Sequence, residues 1–395
     1  MPDMMEARSG GGIRVGVPRV QTIDALRGLM IVLMVLDHVR DFSHRTALIA
    51  DPLDLSTGDG ALFATRWITH LCAPTFLVLA GISIWLQQAG GKTGAQLSRF
   101  LLTRGLWLIL LEFTIVGLGF NLAPWLFFQV LWVLGSGFVA MALLVRLSRA
   151  TVLVIGILLL LANPVLMLFP ISVFAQPFAT FGRFDGFGLP GLIAYPLLPW
   201  LGLILLGYGI GPLFLRPPED QARSLTRAAS CGAAAFTVLR APNLYSLDYK
   251  PWSVQTSDML TILDFVDVAK YPPSFLYVVL TLSLSAFLYV LLLARVAAPM
   301  ARPLGVLGRT ALFTYLLHIW VAHLLAVAIG IVSGVPAGAF SGHLAEPSRL
   351  IAARWGVGLP ATYALWITVL AIMYPLAQRY DRYKQVGRRR WTSYL

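Results

Sequence analysis

Charge is what this sequence has least of. Only 12% of its 395 residues are charged while 58% are hydrophobic, against roughly 25% charged in ordinary soluble domains. That deficit excludes a soluble enzyme and predicts that the apolar excess faces lipid. Cysteine is also scarce. The two present, Cys72 and Cys231, both lie in apolar stretches, which excludes a disulfide framework or a cysteine metal site and makes them small hydrophobes. The glycine run at 10–12 has no strand-to-helix context, so no nucleotide loop is present. No repeat or low-complexity tract stands out. A net charge of +12 invites a nucleic-acid reading. The basic residues lie in short clusters between apolar spans, however, so membrane topology explains them and no nucleic-acid partner is expected.

Apolar runs bounded by charge, Pro or Gly predict an all-α, polytopic bundle in the lipid bilayer. About ten transmembrane helices are expected, near 22–42, 66–88, 101–121, 125–146, 151–173, 192–215, 224–241, 273–295, 308–331 and 358–378; each approaches the roughly 20 residues needed to cross a bilayer core. The seventh is short and ends on Arg240. Lys and Arg cluster in every second connection: before the first span, then after the second, fourth, sixth, eighth and tenth. Both termini are therefore predicted to be cytoplasmic. Residues 1–19 read as a polar cytoplasmic tail without a signal-peptide cleavage site, and 20–395 as a single membrane domain. The other loops carry Asp51, Asp54 and Asp59, or Asp248, Asp258, Asp264 and Asp267, or are rich in Gly, Pro and aromatics at 174–191 and 332–357; they are placed outside.

Ionisable residues inside spans carry the sharpest signal, because each costs roughly 2.5–3.5 kcal/mol at a helix centre unless it meets protein or water. In IDALRGLMIVLMVLDHVRDF, Arg27 and His38 are eleven residues apart, about three turns and about 16 Å of rise, so both project from one face. Asp24 and Asp41 extend that stripe and Asp37 lies beside it. Each residue alone reads as an interfacial anchor. A stripe along the helix does not, because anchors sit at helix ends. His70 lies about one turn inside the second span, near the depth of His38, and Glu112 is midway along the third. Thr310, Thr314 and His318 share a face of the ninth, with Tyr315 adjacent. Interhelical hydrogen bonding is the plain alternative for each, worth about 0.6 kcal/mol per contact. No pair has the His-x-x-x-His or Glu-x-x-His spacing of a helical metal site, and no metal is expected.

The opening VQTIDALRGLMIVLMVLDHVRDF, together with ITHLCAPTFLVLAGISIWL, LRAPNLY, KYPPSFLYVVLTL, TALFTYLLHIW and the ending RRRWTSYL, resembles the bacterial branch of the heparan-alpha-glucosaminide N-acetyltransferase-like membrane proteins. The Arg27–His38 spacing is also similar to the first-span motif of the wider group of membrane acyltransferases that modify bacterial surface polysaccharides. The resemblance implies a helical enzyme of the bacterial inner membrane that takes acetyl from cytoplasmic acetyl-CoA and delivers it to a sugar on the far side. There is one departure. In the eukaryotic lysosomal branch an Asn occupies the position matching His38 and the proposed catalytic His sits in the following loop, where this chain offers only His44 at a different spacing. His38 is therefore judged on its own chemistry.

An imidazole with a pKa near neutrality suits a general base, taking the proton from a sugar hydroxyl or amine as it attacks a thioester; a covalent acetyl-histidine is the variant. Asp37 or Glu112 is expected to orient or charge-balance His38, and His70 or His318 to polarise the carbonyl. Arg27 and Arg309 are assigned to the phosphates of acyl-CoA. Arg240, Asn243, Lys270 and Tyr271 are assigned to an outer mouth for a sugar, glycan or glycolipid acceptor. Lys270 has a plainer reading as the salt-bridge partner of Asp267 or as an interfacial snorkel, and Pro272 or Pro273 suits the first turn of the following helix. The rival class is a secondary transporter or lipid flippase using the intramembrane His, Glu and Arg as its path.

Overall fold

The computed structural model describes residues 20–57, 59–166, 172–186, 188–244, 247–294 and 298–387. The expected tail at 1–19 and the basic run at 388–390 lie outside them.

The chain opens with α1 (Gln21–Ser43), followed by the short α2 (Gly60–Ile68), then α3 (Cys72–Ala89) and α4 (Gly94–Leu111). Thr93 starts α4 through a capping box, its hydroxyl accepting from Gln96 N while the Gln96 side chain accepts from Thr93 N. A π turn at Glu112–Val116 leads from α4 into α5 (Gly117–Asn121). After β1 (Leu126–Phe128) come α6 (Val130–Leu144), α7 (Arg149–Leu166) and the single turn α8 (Gln176–Ala179). The hairpin β2 (Gly182–Gly186) and β3 (Leu189–Ile193) precedes α9 (Leu197–Ile210), α10 (Pro218–Arg240), α11 (Asp258–Val266) and α12 (Phe275–Leu293). The chain continues through α13 (Ala298–Arg309), α14 (Ala311–Val332), α15 (Ser348–Ala352) and α16 (Leu359–Gly387).

Six helical segments among the described residues are long and apolar enough to cross a membrane: Gly60–Ala89, Gly94–Asn121, Leu197–Leu215, Phe275–Leu293, Ala311–Val332 and Leu359–Val386. The other expected spans fall on α1, which carries its charged stripe, on α6 and α7, which are apolar but shorter, and on α10. In α10 the buried residues Gln221, Leu225, Ala229, Phe236 and Arg240 recur at helical spacing on one face, and that face packs on α12. Glu219 and Asp220 occupy its first turn, where acidic side chains complement the helix dipole.

One feature departs from an all-helical reading. The loop expected at 174–191 and the start of the span expected at 125–146 together form a three-stranded sheet of order β1-β3-β2, parallel between β1 and β3 and antiparallel in the hairpin. Its inner side chains, Phe128, Phe184 and Ile193, make a small separate core. Leu126–Phe128 pairs in parallel with β3, and α6 begins only at Val130.

Helix α1 is central, in contact with α3, α12, α13, α14 and α16. Its seam with α13 is unusually close. A Cβ on Gly28 would lie 1.9 Å from Leu304 O, and one on Gly308 would lie 1.8 Å from Asp24 O. Small residues that bring backbones together are the usual means of helix association in lipid, where apolar surface gains nothing from leaving the solvent.

Candidate active site

His38 and His318, from α1 and α14, meet with Nδ1 of the first 2.7 Å from Nε2 of the second. Their rings are nearly parallel, at 10°. His318 Nδ1 lies 2.9 Å from Thr314 O, one turn back on its own helix. A carbonyl only accepts, so His318 Nδ1 carries hydrogen and, in the neutral ring, its Nε2 is an acceptor. His38 Nδ1 must then be the donor to it. This leaves His38 Nε2 as a bare lone pair, with no partner among the described residues. Phe120 packs edge-on against His38 with centroids 4.9 Å apart, and Tyr315 stands 6.2 Å away. The group hydrogen-bonded to His38 is thus His318, whereas Asp37 bonds Arg66 and Thr69 and Glu112 bonds the Trp132 backbone.

A cavity of about 340 Å³ runs from the side on which α1 begins as far as Tyr315, whose ring stands 6.2 Å from that of His38; neither His38 nor His318 lines it. Arg27, Arg104, Arg309 and Lys384 line it at that end, and Met34, Leu108, Leu131 and Tyr315 lie deeper. Arg27 donates to Asp24 Oδ1 and Ser83 Oγ, both at 3.0 Å, and Arg309 donates from Nε and Nη2 to Asp381. Both expected cations therefore line one cavity, already held in place by partners. Lys384 went unrecognised in the sequence because it lies in a basic stretch that topology alone explains.

Glu112 is fully buried. Its Oε2 accepts from Trp132 N at 2.8 Å, so it caps the start of α6, and its Oε1 has no partner. The π turn that it begins loosens the local backbone. Ile115 O is left to accept from Trp320 and Gly119 O from His323. A second imidazole pair follows, with His343 Nδ1 3.1 Å from His323 Nε2 and His343 Nε2 3.3 Å from Asp41 O. Burial pushes the His343 imidazole down to about 3, which keeps the loop holding it uncharged where it docks on α1.

On the other face of α1, Asp37 accepts from Arg66 at 2.8 and 2.9 Å and from Thr69 at 2.7 Å, and it pairs with Arg40 at 2.8 Å. Lys270 points inward and is only 6% exposed; it lies in electrostatic reach of Asp37, His38 and His70. The expected Lys270–Asp267 bridge is absent, because Lys250 takes that carboxylate. Tyr271 stacks on Phe181 with centroids 5.2 Å apart. His70 joins the cluster of Asp37 and Lys270 and not the His38–His318 pair; it packs edge-on against Tyr277, and its Nδ1 is buried without a partner. The cap of α12 is Ser274, whose hydroxyl accepts from Tyr277 N at 3.0 Å, so Pro272 and Pro273 precede the helix and do not open it.

Arg240 and Asn243 build the loop between α10 and α12. The Arg240 guanidinium, 1% exposed, donates to Asp248 Oδ2 and to the carbonyls of Lys250, Phe265, Asp264 and Asp267. Asn243 brackets the Trp252 backbone at 2.8 and 2.9 Å. Burial raises the Asp248 carboxyl above its ordinary range, and it raises Asp267 to about 6 despite the opposing attraction of Lys250.

Among the described residues no group of three or more His, Cys, Asp or Glu is arranged to hold a metal. Cys72 is buried against α1, with Sγ 3.5 Å from Met30 O, whereas Cys231 is exposed on α10. Six helical segments long and apolar enough to cross a membrane, with a cavity among the helices that carries cations at one end, define the class as a multi-pass membrane protein.

The chain matches the family model described as heparan-alpha-glucosaminide N-acetyltransferase, catalytic, over residues 19–241, more than half of its 395 residues. It belongs to that family of membrane acetyltransferases. No curated protein matches it. The matched region carries His38, Arg27 and Glu112, while His318 and Lys270 come from beyond it.

Proposed function

We propose that the protein moves an acetyl group, or another short acyl group, from acyl-CoA to a hydroxyl or amine of a sugar-containing acceptor. The observation that supports this reading is the tautomer-fixed His38, its Nε2 lone pair bare and its ring 6.2 Å from that of Tyr315, which lines a cavity that begins with cations. Arg27, Arg104, Arg309 and Lys384 suit the phosphates of CoA at the mouth, and the apolar walls beyond suit its pantetheine arm.

His38 Nε2 accepts the proton of the acceptor O–H or N–H as that atom bonds to the thioester carbon. The tetrahedral intermediate then collapses, the C–S bond breaks, and the thiolate of CoA takes the proton from the imidazolium. His318 holds the ring in the reactive tautomer and shares its transient charge. With both termini cytoplasmic, the cation mouth faces the cytoplasm of a bacterial inner membrane and the acceptor approaches from outside.

Full-length protein in nanodiscs, given labelled acetyl-CoA and amino sugars or glycan fragments, tests the reading. His38→Ala is expected to lower transfer about 10²–10⁴-fold while acetyl-CoA binding persists. Transfer at the wild-type rate in that variant would remove His38 from the chemistry. Stable protein-bound label without acceptor would replace direct transfer with an acetyl-histidine route.

A further inference from the structure

Acyl transfer needs a base for the acceptor and also a donor for the thioester carbonyl, whose oxygen gains negative charge as the new bond forms. His38 serves as the base, and the second role is open. His318 gives its Nδ1 hydrogen to Thr314 O and accepts at Nε2 from His38, while His70 does not line the cavity. Arg27, Ser83, Gln87, Arg104, Arg309 and Lys384 supply donors towards the mouth, where Ser83 is tied to Arg27 and Gln87 to Lys92. Among the described residues, the one remaining side chain in the lining that can donate is Tyr315.

Tyr315 is 4% exposed, and its ring stands 6.2 Å from that of His38 and 5.7 Å from that of His318. Its hydroxyl lies 2.7 Å from Gln129 Oε1. Gln129 is the N-cap of α6, whose first two residues, Val130 and Leu131, wall the cavity. Glu112 holds that helix start through Trp132 N. The phenol is thereby held at the inner wall, near the imidazole pair.

We propose that Tyr315 is a catalytic residue whose O–H donates to the carbonyl oxygen of the bound acyl thioester, and that Gln129 is its positioning residue. The proposal deepens the acyltransfer reading and rests on it. A half-turn of the Gln129 amide sets its N–H against the phenol oxygen and frees the O–H for the cavity. As the acceptor atom bonds to the thioester carbon, the C=O electron pair moves onto oxygen and is held by the Tyr315 hydrogen bond. The pair returns as the C–S bond breaks, and the phenol keeps its proton throughout.

Two unreactive donors test this by equilibrium binding to the full chain in nanodiscs, without turnover. One is ethyl-CoA, a thioether without the carbonyl; the other is the methyl-ketone analogue of acetyl-CoA with CH2 in place of sulfur. Wild type is expected to bind the ketone about 3–10-fold more tightly, the scale of one hydrogen bond, and Tyr315→Phe to bind both alike. With the ketone carbon labelled, its C=O stretch is expected at lower wavenumber on wild type than on the variant. In turnover, Tyr315→Phe is expected to lower kcat about 10²-fold with the KM for acetyl-CoA unchanged. Equal binding of the two analogues by wild type would overturn the assignment of Tyr315 and leave the acyltransfer reading standing, as would a preference that survives in the variant. Binding of neither analogue would overturn the acyltransfer reading and this assignment with it.

Discussion

His38 Nδ1 donates to His318 Nε2 across 2.7 Å of space and 280 residues of sequence. On the proposed mechanism His318 acts on the reaction through His38. His318→Ala is expected to lower kcat about 10–100-fold, by analogy with the loss of a partner that orients a ligating imidazole, with the KM for acetyl-CoA unchanged. Steady-state kinetics at saturating acceptor check this. A rise in KM with kcat preserved would place His318 in donor binding instead.

The cation mouth makes a separate prediction. Arg27→Ala removes a planar donor from the cavity lining, and the KM for acetyl-CoA is expected to rise about tenfold, the scale of one charge-assisted hydrogen bond. S-acetylpantetheine, which lacks the phosphates, should be used equally by wild type and variant. If both donors suffer alike, Arg27 serves the fold and not the phosphates.

Gly28 faces Leu304 O at a distance no side chain tolerates. Gly28→Val is expected to destabilise the protein by about 1–3 kcal/mol or more, the range for overpacking. The measurements are unfolding temperature and yield of folded protein in detergent. Gly94→Ala, at a site with nothing within 4 Å of the added Cβ, is the control and should change little.

Asp267 gives the outer loop a pH dependence. Its carboxyl is raised to about 6 from 3.8, chiefly by burial, so the folded state holds a proton that the unfolded chain releases. The contribution to stability is complete below about 3.8, falls as pH rises towards 6, and is flat above. Hydrogen exchange of residues 248–267 is therefore expected to slow between pH 7 and pH 5, after correction for intrinsic rates. Asp267→Asn should remove that dependence; a persistent one would assign it to Asp248.

The sequence made the helices legible because apolar runs and charged breaks are local signals, and Arg27, His38 and Glu112 stood out as ionisable groups inside them. The pairing of His38 with His318 was not legible, because it depends on the rotation of two helices about their own axes, which no local pattern records. Arg40 was overlooked for a different reason. In DHVRD the two aspartates flanking it read as its obvious partners, and only the coordinates reveal that one nitrogen serves both while the others are left open. Arg240 and Asn243 looked like ligand-binding groups because polar side chains beside a span resemble a site, yet they bond within their own loop, Arg240 to the Asp248 carboxylate and to backbone carbonyls, Asn243 to the Trp252 backbone.

The seam between α1 and α13 constrains how any substrate gets through. Arg27 and His38 ride on the same helix, and that helix is interlocked backbone to backbone with α13 at Gly28 and Gly308. Rocking α1 to open first one mouth and then the other would have to prise apart a backbone-to-backbone contact with no room for a single Cβ. The geometry favours a stationary axle: on the proposed acyltransfer, α1 holds still while the acyl group passes along it, and whatever moves to admit the acceptor pivots on the loops around the C-terminal end of that helix.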